Sequence, residues 1–331
     1  MHNCDLKDVQ KKLVKMKYGL VGDTSAVQIC RWTKNSLRGD RGCWKEKFYG
    51  ISSAGCCQMT PSVMWCENQC LHCWRPIEMN LGTELPTVDD PIKILDGIVE
   101  KRKDMLMGMK GNPKVDAKKF EEALTPKLYT MSLSGEATLY PRLGEMFAEV
   151  RRRGAVSFLV TNGLNPEALR KLESEGLPTQ LVISTNAPNK DLFLRWHRST
   201  KKDAWNVFLE SLDVMRELEG KVRRVIRLTI VKKGSEGTFG EMTNMEDSNV
   251  KEYCDLIRRA NPDFVHVKGY KAVGYAKDRM GYDNQVWHHE VLEFCEKMAK
   301  ELGDFKIKAD DERSCVVALV KDGVEMKIEK I

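Results

Sequence analysis

The stretch Trp65-Cys66-Glu67-Asn68-Gln69-Cys70-Leu71-His72-Cys73-Trp74 sets three cysteines at a C-x3-C-x2-C spacing on one short loop. Thiolates this close together can hold three irons of a cubane iron–sulfur cluster and leave the fourth iron without a protein ligand. An open iron can chelate the amino and carboxylate groups of S-adenosylmethionine. An electron passed through the cluster can then break the sulfonium C–S bond and release a 5′-deoxyadenosyl radical. The ring of His72 occupies the place where, in this loop signature, an aromatic packs against the cofactor. The competing reading is a structural zinc site with His72 as fourth ligand, but such sites usually draw their ligands from two separated pairs.

Outward from the loop, the chain alternates short apolar runs with helical patterns. The spacing predicts strands over Leu128–Leu133, Ser157–Val160, Leu181–Ser184, Val225–Val231 and Phe264–Val267. Helices are predicted over Leu6–Tyr18, from Asp90-Pro91 onward, and over Arg142–Arg152, Pro166–Glu175, Asp203–Glu219 and Val250–Ala260. Gly19 and Gly22 are expected to end the first of these. Counting the segment that enters the cysteine loop as the first strand, six β/α units predict an α/β fold, a partial (β/α)6 barrel with parallel strands and right-handed crossovers. Residues 1–57 then form an N-terminal extension, 58–280 the barrel, and 281–331 a C-terminal helix-strand extension, together one compact unit.

In a parallel barrel the chemistry sits at the carboxyl ends of the strands. There the sequence places Ser134-Gly135-Glu136, Thr161-Asn162-Gly163, Ser184-Thr185-Asn186 and Lys268-Gly269-Tyr270. Ser134, Gly135, Glu136, Asn162, Ser184 and Asn186 are the candidates for holding ribose hydroxyls and an amino acid moiety, since glycine lets backbone approach a ligand and the others offer hydrogen bonds.

Upstream, Cys30, Cys43 and Cys56 stand at intervals of 13 and 13 residues. Such separated thiols meet only if the chain folds back around them, which suits a second cubane with its own open iron. Cys57, next to Cys56, leaves open which of the two is the ligand. Between them lies Lys45-Glu46-Lys47-Phe48-Tyr49-Gly50. Desolvation beside a cluster should lower the amine pKa of Lys45, and a neutral amine can condense with a carbonyl to a Schiff base.

The chain has 331 residues, 42% of them apolar, and no apolar stretch approaches the length of a membrane span. The opening Met1-His2-Asn3-Cys4-Asp5 lacks the character of a secretion signal, so a cytoplasmic protein is expected. Eleven cysteines then argue for metal ligation and buried thiols rather than disulfides; Cys254, Cys295 and Cys315 read as core. Lys and Arg number 54 against 48 Asp and Glu, with basic runs at Arg151-Arg152-Arg153, Lys201-Lys202, Lys221 with Arg223-Arg224, Lys232-Lys233 and Lys268 to Arg279. If these runs form one face around the barrel mouth, the partner is a polyanion.

In these motifs the chain resembles the tRNA 4-demethylwyosine synthase family of radical S-adenosylmethionine enzymes. The likeness covers nearly all of it: the cysteine series 30, 43, 56, 66, 70, 73; Trp44 to Ile51; Gln58-Met59-Thr60-Pro61; Ser132 to Pro141; Lys268-Gly269-Tyr270; and Val273-Gly274-Tyr275. Two departures stand out. The flavodoxin-like domain of eukaryotic members is absent from the sequence, as in the shorter archaeal form, and Ala137 replaces the proline common after Gly-Glu. The resemblance implies two 4Fe-4S clusters, S-adenosylmethionine, pyruvate, tRNA-Phe carrying N1-methylguanosine at position 37, an external low-potential electron donor and a monomeric enzyme. It also implies the reaction. The deoxyadenosyl radical takes a hydrogen atom from the N1-methyl group, the resulting radical adds to the pyruvate carbonyl carbon, the pyruvate carboxyl carbon is lost, and the guanine amino group closes the tricyclic base. Lys45 would form the imine with pyruvate. Rival readings are another radical enzyme with an auxiliary cluster, such as a peptide-modifying maturase, and a zinc-dependent RNA-binding protein.

Overall fold

Helix starts in this chain are written into its side chains. Asp90 accepts hydrogen bonds from the backbone N–H groups of Ile92 and Lys93 ahead of Pro91–Met107, and Asn165 accepts one from Ala168 ahead of Pro166–Glu175. Both helices begin where Asx-Pro predicts. In the computed structural model, which describes residues 5–328, such helices alternate with the strands of one ten-stranded sheet. The run Met1–Cys4, read above for signal character, lies outside the described residues.

The strands are β1 (Gly19–Val21), β2 (Ser25–Gln28), β3 (Cys56–Thr60), β4 (Leu128–Met131), β5 (Val156–Thr161), β6 (Gln180–Ser184), β7 (Arg223–Ile230), β8 (Phe264–Gly269), β9 (Phe305–Asp311) and β10 (Val316–Lys321). From β3 to β8 every neighbouring pair is parallel and consecutive in sequence. Each connection carries at least one helix, as parallel pairing requires. The six predicted β/α units are therefore present.

Period-2 alternation divides the strand residues between two environments. Met59, Met131, Leu159, Ile183, Leu228 and Val267 pack outward against the helices in the main core. Their neighbours Gln58, Thr130, Val160, Ser184, Arg227 and His266 line a cavity, so the six strands curl around it as a partial barrel.

Both edges are extended by antiparallel strands, of which the sequence patterns indicated a strand in 281–331 but not the N-terminal hairpin. Pairing of β1 with β2 and of β2 with β3 adds a hairpin at one edge, where Gly19 opens a strand and Gly22, at φ +58°, makes the turn. The first helix accordingly stops at Lys15 rather than Tyr18. At the other edge β10 pairs with β8 and β9 with β10. The segments on either side of the barrel thus continue its sheet, and β3 itself crosses the 57/58 boundary.

Candidate active site

The cysteine loop leaves β3 at its carboxyl end and is clamped from several elements. The N–H groups of Gln69 and Leu71 donate to the carbonyls of His197 (2.8 Å) and Trp196 (3.0 Å) at the end of the helix Lys190–His197. The amide nitrogen of Asn80 donates to the Cys66 carbonyl at 2.7 Å. Arg279, only 8% exposed, donates to the carbonyls of Leu71 and Cys73 and pairs with Glu78. These bonds fix the loop backbone, and with it the directions of three sulfurs.

Ser134-Gly135-Glu136 packs directly against this loop. Gly135 sits at φ +72°, and a Cβ there would overlap the carbonyl oxygens of Ser62 and Trp65. The N–H of Glu136 donates to the Trp65 carbonyl at 2.7 Å. Its carboxylate accepts from the Thr138 hydroxyl (2.8 Å) and the Asn162 backbone N–H (2.8 Å), while the Asn162 amide donates to Glu67 at 3.0 Å. Burial, then the nearby Glu67, pushes the Glu136 carboxyl above the usual range. A cationic group brought to this corner, such as an ammonium, would relieve that repulsion.

His72 cannot serve as the zinc ligand of the competing reading. The Trp196 indole, which only donates, gives its N–H to His72 Nδ1 at 2.6 Å, so the ring proton lies on Nε2. Burial, reinforced by His197, lowers its pKa to about 3 and keeps it neutral. Neither ring nitrogen has a lone pair left for a metal.

The second triplet is assembled from three elements. Cys30 and Cys43 are the N-cap residues of Arg31–Leu37 and Trp44–Tyr49, and Cys56 opens β3. Ser53 ties them together: its hydroxyl accepts from the Cys43 N–H at 2.7 Å and its carbonyl accepts from the Thr33 hydroxyl at 3.1 Å. Fully buried Arg102 donates to the carbonyls of Ala54 (2.7 Å) and Ala123 (3.0 Å), fixing the approach to β3. Strand alternation separates the adjacent thiols, since Cys56 lines the cavity whereas Cys57 lies in the main core.

Lys45 lines the same cavity, with Nζ 3.5 Å from Cys56 Sγ and over the Phe158 ring. Its pKa is raised, contrary to the lowering expected from desolvation beside a cluster. Burial does act to lower it, but the thiolate charges of Cys56, Cys43 and Cys30 and the hydrogen bond to Cys56 outweigh that effect. Lys47 instead points outward to Asp310.

All six cysteines, Lys45, His72, Ser134, Gly135, Glu136, Asn162, Ser184 and Asn186 line one cavity of about 1020 Å³. The donor sets suit clusters better than single ions. Burial raises Cys66, Cys70 and Cys73, and raises Cys43 to about 11, so binding a metal displaces protons. Among the described residues no three His, Cys, Asp or Glu side chains converge on a point for one ion, whereas a cubane gives each thiolate its own iron.

Sequence reading overlooked Arg227, Thr229 and His266, which line the barrel interior. Their signal was a polar residue at every second position inside the apolar runs of β7 and β8. The basic runs do not form one face. Arg151–Arg153 and Lys221–Arg224 lie just before β5 and at the start of β7, at the amino ends of the strands, whereas Lys232-Lys233 and Lys271–Arg279 follow the carboxyl ends of β7 and β8. Several are already paired: Arg152 and Arg153 with Glu149, Lys221 with Glu173 and Arg224 with Asp263.

Comparison with known proteins agrees with this geometry. Residues 61–245 match the radical SAM superfamily and residues 259–321 match the family of wyosine base formation. The S-adenosyl-L-methionine-dependent tRNA 4-demethylwyosine synthase of Pyrococcus horikoshii is 42% identical over 96% of this chain and 90% of its own length. Its counterpart in Methanocaldococcus jannaschii is 34% identical over 95% and 96%. A solved structure of TYW1 with a lysine-pyruvate adduct bound superposes with a TM-score of 0.82, at 31% identity and 98% coverage of both chains.

Proposed function

Because this chain belongs to the radical SAM family of tRNA 4-demethylwyosine synthases, we propose that its cavity holds two cubane clusters and joins pyruvate to N1-methylguanosine-37 of tRNA-Phe. The observation that carries the reading is the convergence of two cysteine triplets and Lys45 on one cavity. Cys66, Cys70 and Cys73 would ligate the cluster that reduces S-adenosylmethionine to methionine and the 5′-deoxyadenosyl radical, with the electron coming from a separate low-potential donor. Cys30, Cys43 and Cys56 would hold the second cluster, beside which pyruvate docks.

Each chain residue then has a defined task. Glu136 accepts from the ammonium of the cofactor's amino acid end, while Ser134, Asn162, Ser184 and Asn186 offer hydrogen bonds to its carboxylate and ribose. Neutral His72 packs its ring against the cofactor without adding charge. The Lys45 amine, once it has given up its proton, attacks the C2 carbonyl carbon of pyruvate, and water leaves as the C=N bond forms; burial works toward that loss against the cysteine charges that raise its pKa. A solved relative bearing a lysine-pyruvate adduct supports this role. The barrel wall excludes solvent from the radical, and the reacting methyl group has to reach it by leaving the anticodon stack.

In this arrangement the segment 1–57 supplies the second triplet and the lysine, 58–280 the radical chemistry, and 281–331 the strands that close one edge. The test is an anaerobic incubation of reconstituted protein with methylated tRNA, pyruvate, S-adenosylmethionine and reductant. Nucleoside mass spectrometry should show 4-demethylwyosine only when all are present; product without pyruvate, or none with every component, would refute the reading.

A further inference from the structure

Arg227 stands in the middle of the barrel wall, in register with Ser184 of β6 on one side and His266 of β8 on the other. Its side chain lines the cavity, and one pleat further along Lys268 does the same opposite Thr229. Arg227 Nε is buried without a hydrogen-bond partner, and neither cation has a carboxylate partner among the described residues. Two unpaired cations on adjacent strands of a barrel interior are costly unless an anion completes the site.

Apart from the cysteine sulfurs, the cavity has no spare anion among the described residues. Eight lysines and arginines line it against a single carboxylate, Glu136, which is already bonded to Thr138 and Asn162 beside the first cysteine loop. A planar guanidinium matches a carboxylate through paired donors. Arg227 lies within the strand rather than on the rim loops, which favours a small carboxylate over the phosphate of a polynucleotide.

Two small carboxylates enter the proposed reaction, that of S-adenosylmethionine and that of the 2-oxo acid. Position favours the second. His266, the register partner of Arg227, hydrogen-bonds the Tyr49 hydroxyl at 2.7 Å, and Tyr49 lies one helical turn beyond Lys45 on Trp44–Tyr49. Arg227 is thereby linked through His266 to the helix that presents the amine, while its other register partner, Ser184, faces the side assigned to the cofactor. We infer that Arg227, assisted by Lys268, binds the carboxylate of the 2-oxo acid while Lys45 takes its carbonyl carbon, so that this pair selects a 2-oxo acid over other ketones. The inference rests on the Schiff-base role of Lys45 proposed above.

The experiment uses the reconstituted holoenzyme and borohydride trapping of labelled pyruvate, a readout independent of turnover. In Arg227→Gln the pyruvate concentration giving half-maximal adduct should rise at least tenfold, Arg227→Lys should recover part of the loss, and S-adenosylmethionine affinity by equilibrium dialysis should stay within twofold of wild type. On the wild type, uncharged methyl pyruvate should give far less adduct than pyruvate at equal concentration, a measurement that needs no variant to fold. Loss of S-adenosylmethionine binding with unchanged trapping would assign Arg227 to the cofactor and overturn the inference. Equal trapping of the two ketones by wild type would overturn it as well. Absence of any adduct on wild type would instead remove the Lys45 reading beneath it.

Discussion

The two cysteine triplets solve the same geometric problem in opposite ways. Cys66, Cys70 and Cys73 sit on one loop whose shape is set by bonds donated by Asn80 and Arg279 and by bonds it donates to the Trp196 and His197 carbonyls. Cys30, Cys43 and Cys56 come from two helix N-termini and a strand, brought together by Ser53 and Arg102. A local loop carries its ligand spacing in the sequence, whereas a dispersed set acquires one only from the surrounding fold. The first prediction breaks the pair apart. Replacing Cys66, Cys70 and Cys73 with alanine should halve the iron content and abolish S-adenosylmethionine cleavage, a loss of several orders of magnitude. Replacing Cys30, Cys43 and Cys56 should also halve the iron but leave some cleavage uncoupled from product. Iron analysis and 5′-deoxyadenosine quantitation check both, and two full clusters in either variant would undo the assignment.

Within the second region the sharpest contrast is between Lys45 and Lys47. Lys45 lies in the cavity beside Cys56, and Lys47 reaches outward to Asp310. Lys45→Ala should abolish product and the borohydride-trapped adduct while retaining both clusters. Lys47→Ala should leave rate and trapping within about twofold of wild type, since a half-exposed ion pair contributes about 1 kcal/mol or less. An adduct surviving in Lys45→Ala would move the chemistry to another amine.

What the sequence revealed follows the same division. Strands β4 to β8 and their helices were readable because each repeats one local pattern, apolar run then amphipathic helix. Hairpin β1–β2 was not, since three- and four-residue strands carry too few alternations to be distinguished from loop. That Cys56 rather than Cys57 faces the cavity needed the direction of a pleat. Lys45 is legible in the sequence, but the direction of its pKa shift is not, because burial is opposed by three cysteines from distant segments. Arg227 and His266 were present as polar breaks in apolar runs, but a break has no meaning until the strand is known to face a cavity.

Acid titration probes the two ends of that cavity through their histidines. Burial holds His72 and His266 at about 3 and His197 at about 4, against 6.5 for a free imidazole, with Arg227 and Arg223 adding to the effect on His266. Each is neutral in the fold, so the unfolded chain takes up its proton first. Their contribution is intact above about pH 6.5 and is lost progressively as pH falls toward the folded values. The limiting slope is about 1.4 kcal/mol per pH unit for each ring. His266→Gln should cost about 1 kcal/mol at pH 8 through its bond to Tyr49, and this deficit should shrink as pH falls from 6.5 to 5.5. Anaerobic urea melts measure it. A deficit constant with pH would mean that His266 is not held neutral.

The smallest effect concerns RNA and separates the two ends of the barrel. At the carboxyl ends of the strands, Trp74 and Trp287 are exposed, the Lys271 ammonium lies over the Trp287 ring, and Lys277 has no ion-pair partner among the described residues. At the amino ends, Arg152 and Lys221 are engaged with Glu149 and Glu173. Substrate RNA delivering a base to the cavity should therefore release counterions at the first set and not the second. In a salt series, log affinity for tRNA should fall linearly with log salt. Neutralising Lys271 and Lys277 should flatten that slope by up to about one unit per lost contact, while neutralising Arg151, Arg152 and Lys221 should leave it unchanged. S-adenosylmethionine cleavage without RNA should be the same in every variant. If the amino-end substitutions flatten the slope instead, the RNA approaches from the side of Lys45, and the two cysteine regions exchange places relative to the entering base.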